Sequence, residues 1–527
     1  VPAISSKFFW LACIVAALLG LIGWRVIRSG SFTLRVVPLD IALVALLVTL
    51  LLSSFMSPDP VTSLLGDLER FDGWLLWLLV TVYYAAVTVF VRPNDRPTFV
   101  AIIVILGGLV GLLAFNQMAS GSIDRAESVI GNAMFLGQFV LLLLPFAALG
   151  YYAKPSLGFR YLHGSVAIVA LVTMFLSGTR SALLGLVAMI ASAVILTGIT
   201  LVRLNRFDRS SIVRGVSVVC AAAVIISVGV FSSGIGDRFG QMSLQLEQYP
   251  RYYLAEAGLD LFSERPLFGW GFEQFEHEYQ RVFESDYFNE SRITVRENWH
   301  DRAHNFYIDL AVAGGSSAAV LLLLVMMLLF RPIVLQPLSR EQIIIISGLA
   351  GFFVSSVFTF TTITTLWLFF VLLALWRQYF SGDEYHISVG RAGSFILAGL
   401  LCAVAVLILV VSILRAHDAI IVRAALDAPT GSLERLVNLH DASTRVTFVG
   451  DQRYTTNLLT DELRRYARPY LSERERATLL RKLDELWSGD TASSLTIKQQ
   501  VNLLEAYLRL GEATQAGHIL ERYDLTS

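Results

Sequence analysis

Runs of roughly 20 apolar residues recur all along residues 8–414, and the hydrocarbon core of a bilayer takes an α-helix of about that length. This repetition constrains the fold more than any other feature. About 25% of residues in a soluble domain are charged, whereas here 16% are charged and 55% are hydrophobic over 527 residues, with a mean hydropathy of +0.63. The pattern predicts an all-α, polytopic helical membrane protein with about twelve transmembrane helices. The spans fall near 8–27, 36–55, 74–91, 98–115, 129–153, 162–177, 182–202, 212–231, 303–330, 341–359, 363–380 and 394–414. A net charge of −1 gives no basis for nucleic-acid binding. Cys13, Cys220 and Cys402 all lie inside spans, as small packing residues with no disulfide or metal framework.

Cations sort by loop. Arg28 and Arg35 follow the first span, Arg92 and Arg96 the third, and Lys154 and Arg160 the fifth. Arg203, Arg206, Arg209 and Arg214 surround the turn after the seventh, Arg331 and Arg340 follow the ninth, and Arg377 and Arg391 flank the turn after the eleventh. Alternate loops carry acids instead, such as Asp59, Asp67, Glu69 and Asp72, or Asp124 and Glu127. The positive-inside rule makes the Arg-bearing turns cytoplasmic. The large polar loop 232–302 and everything past Leu414 then face outward. Val1 faces outward too, which predicts a further span upstream or an uncleaved signal peptide.

From Arg415 the hydropathy falls, and apolar residues recur at helical spacing: Leu433, Leu436 and Val437, then Leu463 and Tyr466, then Leu479, Leu480, Leu483 and Leu486. Residues 1–414 therefore read as the membrane domain and 415–527 as a soluble helical domain. Leu504, Ala506, Tyr507, Leu510, Gly511 and Ala516 form a pattern resembling one tetratricopeptide unit. One such unit cannot bury its own face, so stacked hairpins are expected; a generic helical tail is the plainer reading.

Several stretches could carry chemistry. In SGTRSA (177–182) the Gly178–Thr179–Arg180 turn sits at a span boundary, where Arg180 could grip phosphate oxygens with its planar fork or snorkel into headgroups. Arg251 opens YPRYYLAEAGLDLF (249–262), read as an amphipathic surface helix with an apolar stripe at Tyr252, Leu254, Ala255, Leu259 and Phe262. Its first turn could bind an anion or be an ordinary surface helix. Trp270, between two glycines in PLFGWGFEQF (266–275), suits a sugar-stacking platform or an anchor. In WHDRAHNFYIDL (299–310), His300 and His304 are four apart beside Asp301. That spacing can serve a metal, but the order of a zinc hydrolase is missing. His304 at the mouth of a span could instead accept a proton as a neutral imidazole, or simply cap the helix. Arg70 and Asp72 in GDLERFDGW (66–74), and Asn132 and Gln138 in VIGNAMFLGQFVLLLLP (129–145), stand at similar boundaries.

Taken together, SGTRSA, the Arg-led helix with PLFGWGFEQF, and DRAHNFYIDLAVAGG (301–315) resemble the O-antigen ligase and polymerase superfamily, which includes bacterial O-linked oligosaccharyltransferases. RFDGW (70–74) and GNAMFLGQF (131–139) also look like family positions. The resemblance implies a metal-independent, cofactor-free glycosyltransferase of the bacterial cytoplasmic (inner) membrane that uses an undecaprenyl-diphosphate-linked glycan as donor. On it, Arg180 and Arg251 hold the diphosphate, and His304 is the general base in an inverting attack by the acceptor hydroxyl. Arg70, Asn132, Gln138, Trp270, Asp301 and Asn305 complete the candidate pocket. Ligase, polymerase and protein O-oligosaccharyltransferase differ only in acceptor, which is lipid, glycan or protein; the C-terminal helical domain is a possible seat for a protein partner. A transporter or flippase of a lipid-linked glycan is the alternative of another class, and it predicts inverted repeats and charges deep in the spans, neither of which the sequence displays.

Overall fold

The computed structural model describes residues 2–29, 32–121, 125–153, 156–206, 208–210, 213, 215–217, 220, 250–282, 301–379, 384–467, 471–487, 497–512 and 514–518. Among these, eight helices are long and apolar enough to cross a membrane. They are α1 (Pro2–Ser29), α2 (Pro38–Phe55), α5 (Arg96–Ala119), α6 (Ala133–Ala153), α7 (Leu157–Ser177), α8 (Arg180–Arg203), α11 (Phe306–Phe330) and α15 (Arg391–Leu426). Shorter helices fill the intervals: α3 (Pro60–Leu65), α4 (Trp74–Phe90), α9 (Pro250–Glu264), α10 (Phe275–Val282), α12 (Pro332–Leu335), α13 (Arg340–Ser355) and α14 (Ile363–Tyr379). The chain is thus a polytopic, all-α membrane protein. Every expected span coincides with a helix except 212–231, most of which lies outside the described residues, as do 232–249 and 283–300 of the polar loop.

One helix forms the axis. The apolar window of α6 is 83% buried, against 22–44% for the other seven long helices. Helices α5, α7, α8, α13 and α14 pack around it, while Trp10, Leu106, Ile168, Leu323 and Leu407 on the outer helices are exposed, as lipid-facing positions need to be. One departure from an all-helical reading is a short antiparallel pair, β1 (Phe32–Val36) with β2 (Tyr385–Val389), in which Phe32 faces Val389. Its cause is local: α1 and α15 lie side by side, which brings the segments flanking them together.

The PLFGWGF segment docks into a break in α11. Gly315 there has φ +67, and any Cβ would stand 2.3 Å from the Leu267 carbonyl oxygen. The amides of Trp270 and Gly271 donate to the carbonyls of Val312 and Ala313 at 2.8 and 2.9 Å, and Ser316 N–H donates to Pro266 at 2.7 Å. Backbone groups freed by the kink are thereby satisfied by another backbone, the condition for breaking a helix at membrane depth.

Helix α15 has 36 residues, about 54 Å at 1.5 Å per residue, and so outruns a hydrocarbon core of about 30 Å. Its far end joins α16 (Leu433–Arg445), α17 (Val449–Tyr466), α18 (Glu473–Trp487) and α19 (Ile497–Arg509). These enclose a second core of Leu436, Leu439, Leu459, Leu463, Leu483 and Tyr507. Val437 is exposed, so the stripe on α16 runs through 436, 439 and 442. Gly511, with φ +78, makes the turn after α19.

Candidate functional site

The site grows from the short loop between α3 and α4. Asp59 caps α3 by accepting from Thr62 N–H at 3.2 Å, and Gly66 ends the helix with φ 77. The Asp67 carboxylate then accepts from the amides of Glu69 and Arg70 at 2.9 and 2.8 Å, closing an Asx-type turn. Arg70 and Asp72 leave this turn together and meet the segment ahead of α11. Arg70 Nε donates to Asp301 at 2.6 Å. Arg302 Nη2 lies 3.2 Å from Asp72 and 2.8 Å from Glu273. Two arginines thus tie three distant stretches, 66–73, 266–275 and 301–305, into one buried cluster.

The cluster is rich in acid. Asp309 adds a fourth carboxyl group, accepting from Ala303 N–H at 2.8 Å, so four carboxyl groups face two guanidinium groups. Burial pushes Asp72 above the usual carboxylate range, and Glu273 well above it, against the pull of Arg302. Burial works in the same direction on Asp301, but Arg70 and Arg302 outweigh it and hold that carboxyl at about 2. The two arginines thus favour the ionised form of Asp301, whereas burial disfavours the charged form of Asp72 and Glu273.

His304 stands next to Asp301, whose carboxylate feels the histidine charge. Its backbone is left-handed, φ 56, as are Phe71 and Glu273. The other non-glycine residues of this kind among those described are Ser128 and Asn205, so backbone strain is concentrated here, as it is at many functional sites. The imidazole centroid is 5.3 Å from the Phe360 ring. That ring also lies 5.2 Å below the Arg70 guanidinium and 5.2 Å from Phe135 in the first turn of α6. On the other flank of that turn, Thr179 Oγ1 donates to Ala133 at 2.9 Å, and a Cβ on Gly137 would sit 2.7 Å from Thr179. Arg180, half-buried, opens α8 directly after it. The first turn of α6 is therefore touched both by Phe360, which neighbours His304 and Arg70, and by Thr179, which precedes Arg180.

Arg251 is the second residue of α9; its side chain lies outside the described residues. The stripe that α9 buries is Leu254, Ala257 and Leu261, whereas Tyr252 and Leu259 are exposed. The protein-facing stripe is thus distinct from the one expected to lie on the membrane surface, of which Leu254 alone is buried here. The determining residue is Gly258, against which Ile308 packs so closely that a Cβ would fall 2.5 Å away. Arg251 stands seven residues earlier, about 10 Å along the axis.

A cleft is lined by Lys7, Arg70, Asp72, Phe135, Phe360 and Thr362; Arg180 and His304 are not among the described residues that line it. Lys7 Nζ donates to Ile130 at 3.2 Å. A second cavity of about 20 Å³ lies behind Asp72, bounded by Trp77, Arg302, Phe306 and Asp309. Other candidates serve the framework. Asn305 caps α11, accepting from the amides of Tyr307 and Ile308 at 2.9 and 3.2 Å. Asn132, exposed, accepts from Met134 N–H at 2.8 Å. Gln138, fully buried, donates to Thr359 at 3.0 Å and Ser356 at 3.3 Å. Trp270 is buried and its indole donates to Leu261 at 2.8 Å, the arrangement of an anchor.

Sequence reasoning passed over Glu273, Lys7, Phe360 and Arg125, whose Nε donates to the Ser177 carbonyl at 2.8 Å. Thr359, Thr361, Thr362, Thr364 and Thr365, crowded between two apolar spans, were the available signal for this rim. Among the described residues no three of His, Cys, Asp or Glu are arranged to hold a metal; His300 lies outside them. Residues 165–323 match the family model described as O-antigen ligase, a stretch that includes Arg180, Arg251 and His304. No curated protein matches the chain.

Proposed function

Since the chain carries an O-antigen ligase segment, we propose that it transfers a glycan from an undecaprenyl-diphosphate-linked donor to an acceptor hydroxyl, on the outer face of the bacterial cytoplasmic membrane, with inversion and without metal. The acceptor hydroxyl gives its proton to His304 as its oxygen bonds to the anomeric carbon. The bond from that carbon to the diphosphate breaks, and the electron pair leaves on the diphosphate oxygen. Arg180 and Arg251 stabilise the charge that forms there, where preorganised cations act most strongly. A diphosphate leaves without being protonated, so one base is enough.

What supports this reading is that Phe360, which neighbours His304 and Arg70, and Thr179, which precedes Arg180, both contact the first turn of α6. Ionised Asp301 favours the imidazolium that a base must become, and Arg70 keeps that carboxylate ionised. Sidedness rests on the distribution of loop cations. Residues 415–527 enter the same proposal as a tetratricopeptide-like helical domain.

The test is transfer by the purified chain from a polyprenyl-diphosphate glycan, with lipid, glycan and peptide acceptors offered in parallel. Removing a general base costs about 10²–10⁴-fold, the loss expected of His304→Ala. Arg180→Ala and Arg251→Ala are expected to lose about 10²–10³-fold, as when an oxyanion donor is removed. Transfer that depends wholly on an added divalent cation would contradict the metal-free mechanism.

A further inference from the structure

Arg415, near the end of α15, is 1% exposed and the largest fully buried side chain among those described. It has no place in the reaction above. Its Nη1 donates to the Gly66 carbonyl at 2.6 Å and contacts that of Leu65 at 3.5 Å. These are orphan acceptors at the C-terminus of α3, where a cation is doubly favoured. The guanidinium lies 4.4 Å over the Phe71 ring and 5.8 Å from that of Phe448. On its other edge Nη2 stands 3.2 Å from Asp451 in α17.

The loop it holds carries the site. Gly66 and Phe71 are both left-handed, and the loop closes on itself so tightly that a Cβ on Gly73 would lie 2.3 Å from Gly66 N. A backbone like this persists only when its surroundings over-determine it. The C-terminal helices reach the same region twice more. Arg453 pairs with Asp59, the cap of α3, at 2.7 Å. Gly450 packs on Thr62 with no room for a Cβ, which would fall 2.8 Å from Oγ1.

We propose that the C-terminal helices are a built-in part of the site: Arg415, seated between Asp451 and the 66–73 loop, is a positioning residue that fixes Arg70 and Asp72, and through Arg70 the Asp301–His304 pair. A domain that merely recruited partners would need no buried arginine threaded into a loop of the membrane domain. Breaking this contact leaves α3, α4 and the bundle in place and releases only the loop. The activity consequence rests on the transfer reaction proposed above; the consequence for the loop does not.

The experiment uses the full chain in lipid nanodiscs and reads two quantities: hydrogen exchange of the 65–73 amides, and transfer from a polyprenyl-diphosphate glycan. In Arg415→Met, loop exchange is expected to rise about tenfold while α6 amides keep wild-type protection. Transfer is expected to fall by about the same factor, the middle of the range for residues in contact. In an Arg70→Ala background, Arg415→Met should then cost nothing further, because it acts through Arg70; costs that multiply would overturn the proposal. If Arg415→Met does not fold, Arg453→Gln carries the test from its partly exposed position, with about a threefold rise in loop exchange expected. Arg445→Gln, exposed on α16, is the control and should change neither reading. Unchanged loop exchange in both Arg415→Met and Arg453→Gln overturns the proposal. Altered loop exchange in a protein with no transfer activity would leave it standing and sink the reaction instead.

Discussion

Two buried arginines invite comparison, because each meets a buried carboxyl group and they do different things. Arg302 is surrounded by Asp72, Glu273, Asp301 and Asp309 and borders a cavity. Its Nε and one oxygen each of Asp72 and Asp309 have no hydrogen-bond partner among the described residues, and the same holds for Nε and Nη2 of Arg415 and both Asp451 oxygens. Arg415 meets Asp451 but points its other edge at backbone carbonyls and an aromatic ring. An arginine that closes off a helix end is a mechanical device. One that borders a cavity beside a strained histidine belongs to a site. Neither burial nor unmade hydrogen bonds separate the two; what each faces does, a cavity beside the left-handed His304 for Arg302 and helix-end carbonyls for Arg415.

The largest effect expected from breaking this contrast is Arg302→Met. It strands two carboxyl groups in the interior, and removing one partner of a buried ion pair costs about 3–5 kcal/mol. Thermal unfolding in detergent should register that loss, and transfer should vanish with it. Next comes pH at the Arg415 cluster. Burial, ahead of the opposing pull of Arg415, raises the Asp451 carboxyl to about 8, and Asp418 and Asp67 push in the same direction. A raised folded value means the folded state binds the extra proton, so this contribution is whole below about pH 4 and is lost as pH rises through 8. Protection of α17 amides, corrected for intrinsic exchange, should accordingly fall from pH 6 to pH 9 in the wild type and stay flat in Asp451→Asn.

Smaller effects sharpen the picture. Asn305→Ala removes the cap of α11 and should lower stability by about 1 kcal/mol, with transfer reduced through His304 beside it; equal transfer at equal protein concentration would argue that the cap and the base are independent. The smallest effect expected is that of Glu273→Gln. Burial raises Glu273 well above the usual carboxylate range, so an amide replaces a group whose charged form burial already disfavours. Stability should stay within about 1 kcal/mol of wild type, as buried isosteric changes that keep their hydrogen bonds do. A loss as large as that of Arg302→Met would mean the carboxylate is ionised.

Much of this architecture could be read from the residues. The spans were legible because hydrocarbon demands long uninterrupted apolar runs, and α1 to α15 follow them closely. Pairing of distant charges was not. Arg70 and Asp301 are 231 positions apart, and no local period reports such a contact. Glu273 was hidden among aromatics in FGWGFEQF, where it reads as a stray surface charge. The protein-facing side of α9 was not legible, because small residues set it: Gly258 lets Ile308 approach, and Ala257 is buried with it. Arg415 lay at the expected domain boundary, where a cation looks like a topology signal, and only the fold gives it a partner in the 66–73 loop.

The central claim is that His304 acts as the base in glycan transfer. Single-turnover transfer from a polyprenyl-diphosphate glycan, compared between the wild type and His304→Ala with donor binding measured in parallel, addresses it most directly. The account predicts a loss of about 10²–10⁴-fold in the transfer step with donor affinity nearly unchanged. Wild-type transfer by His304→Ala would contradict it.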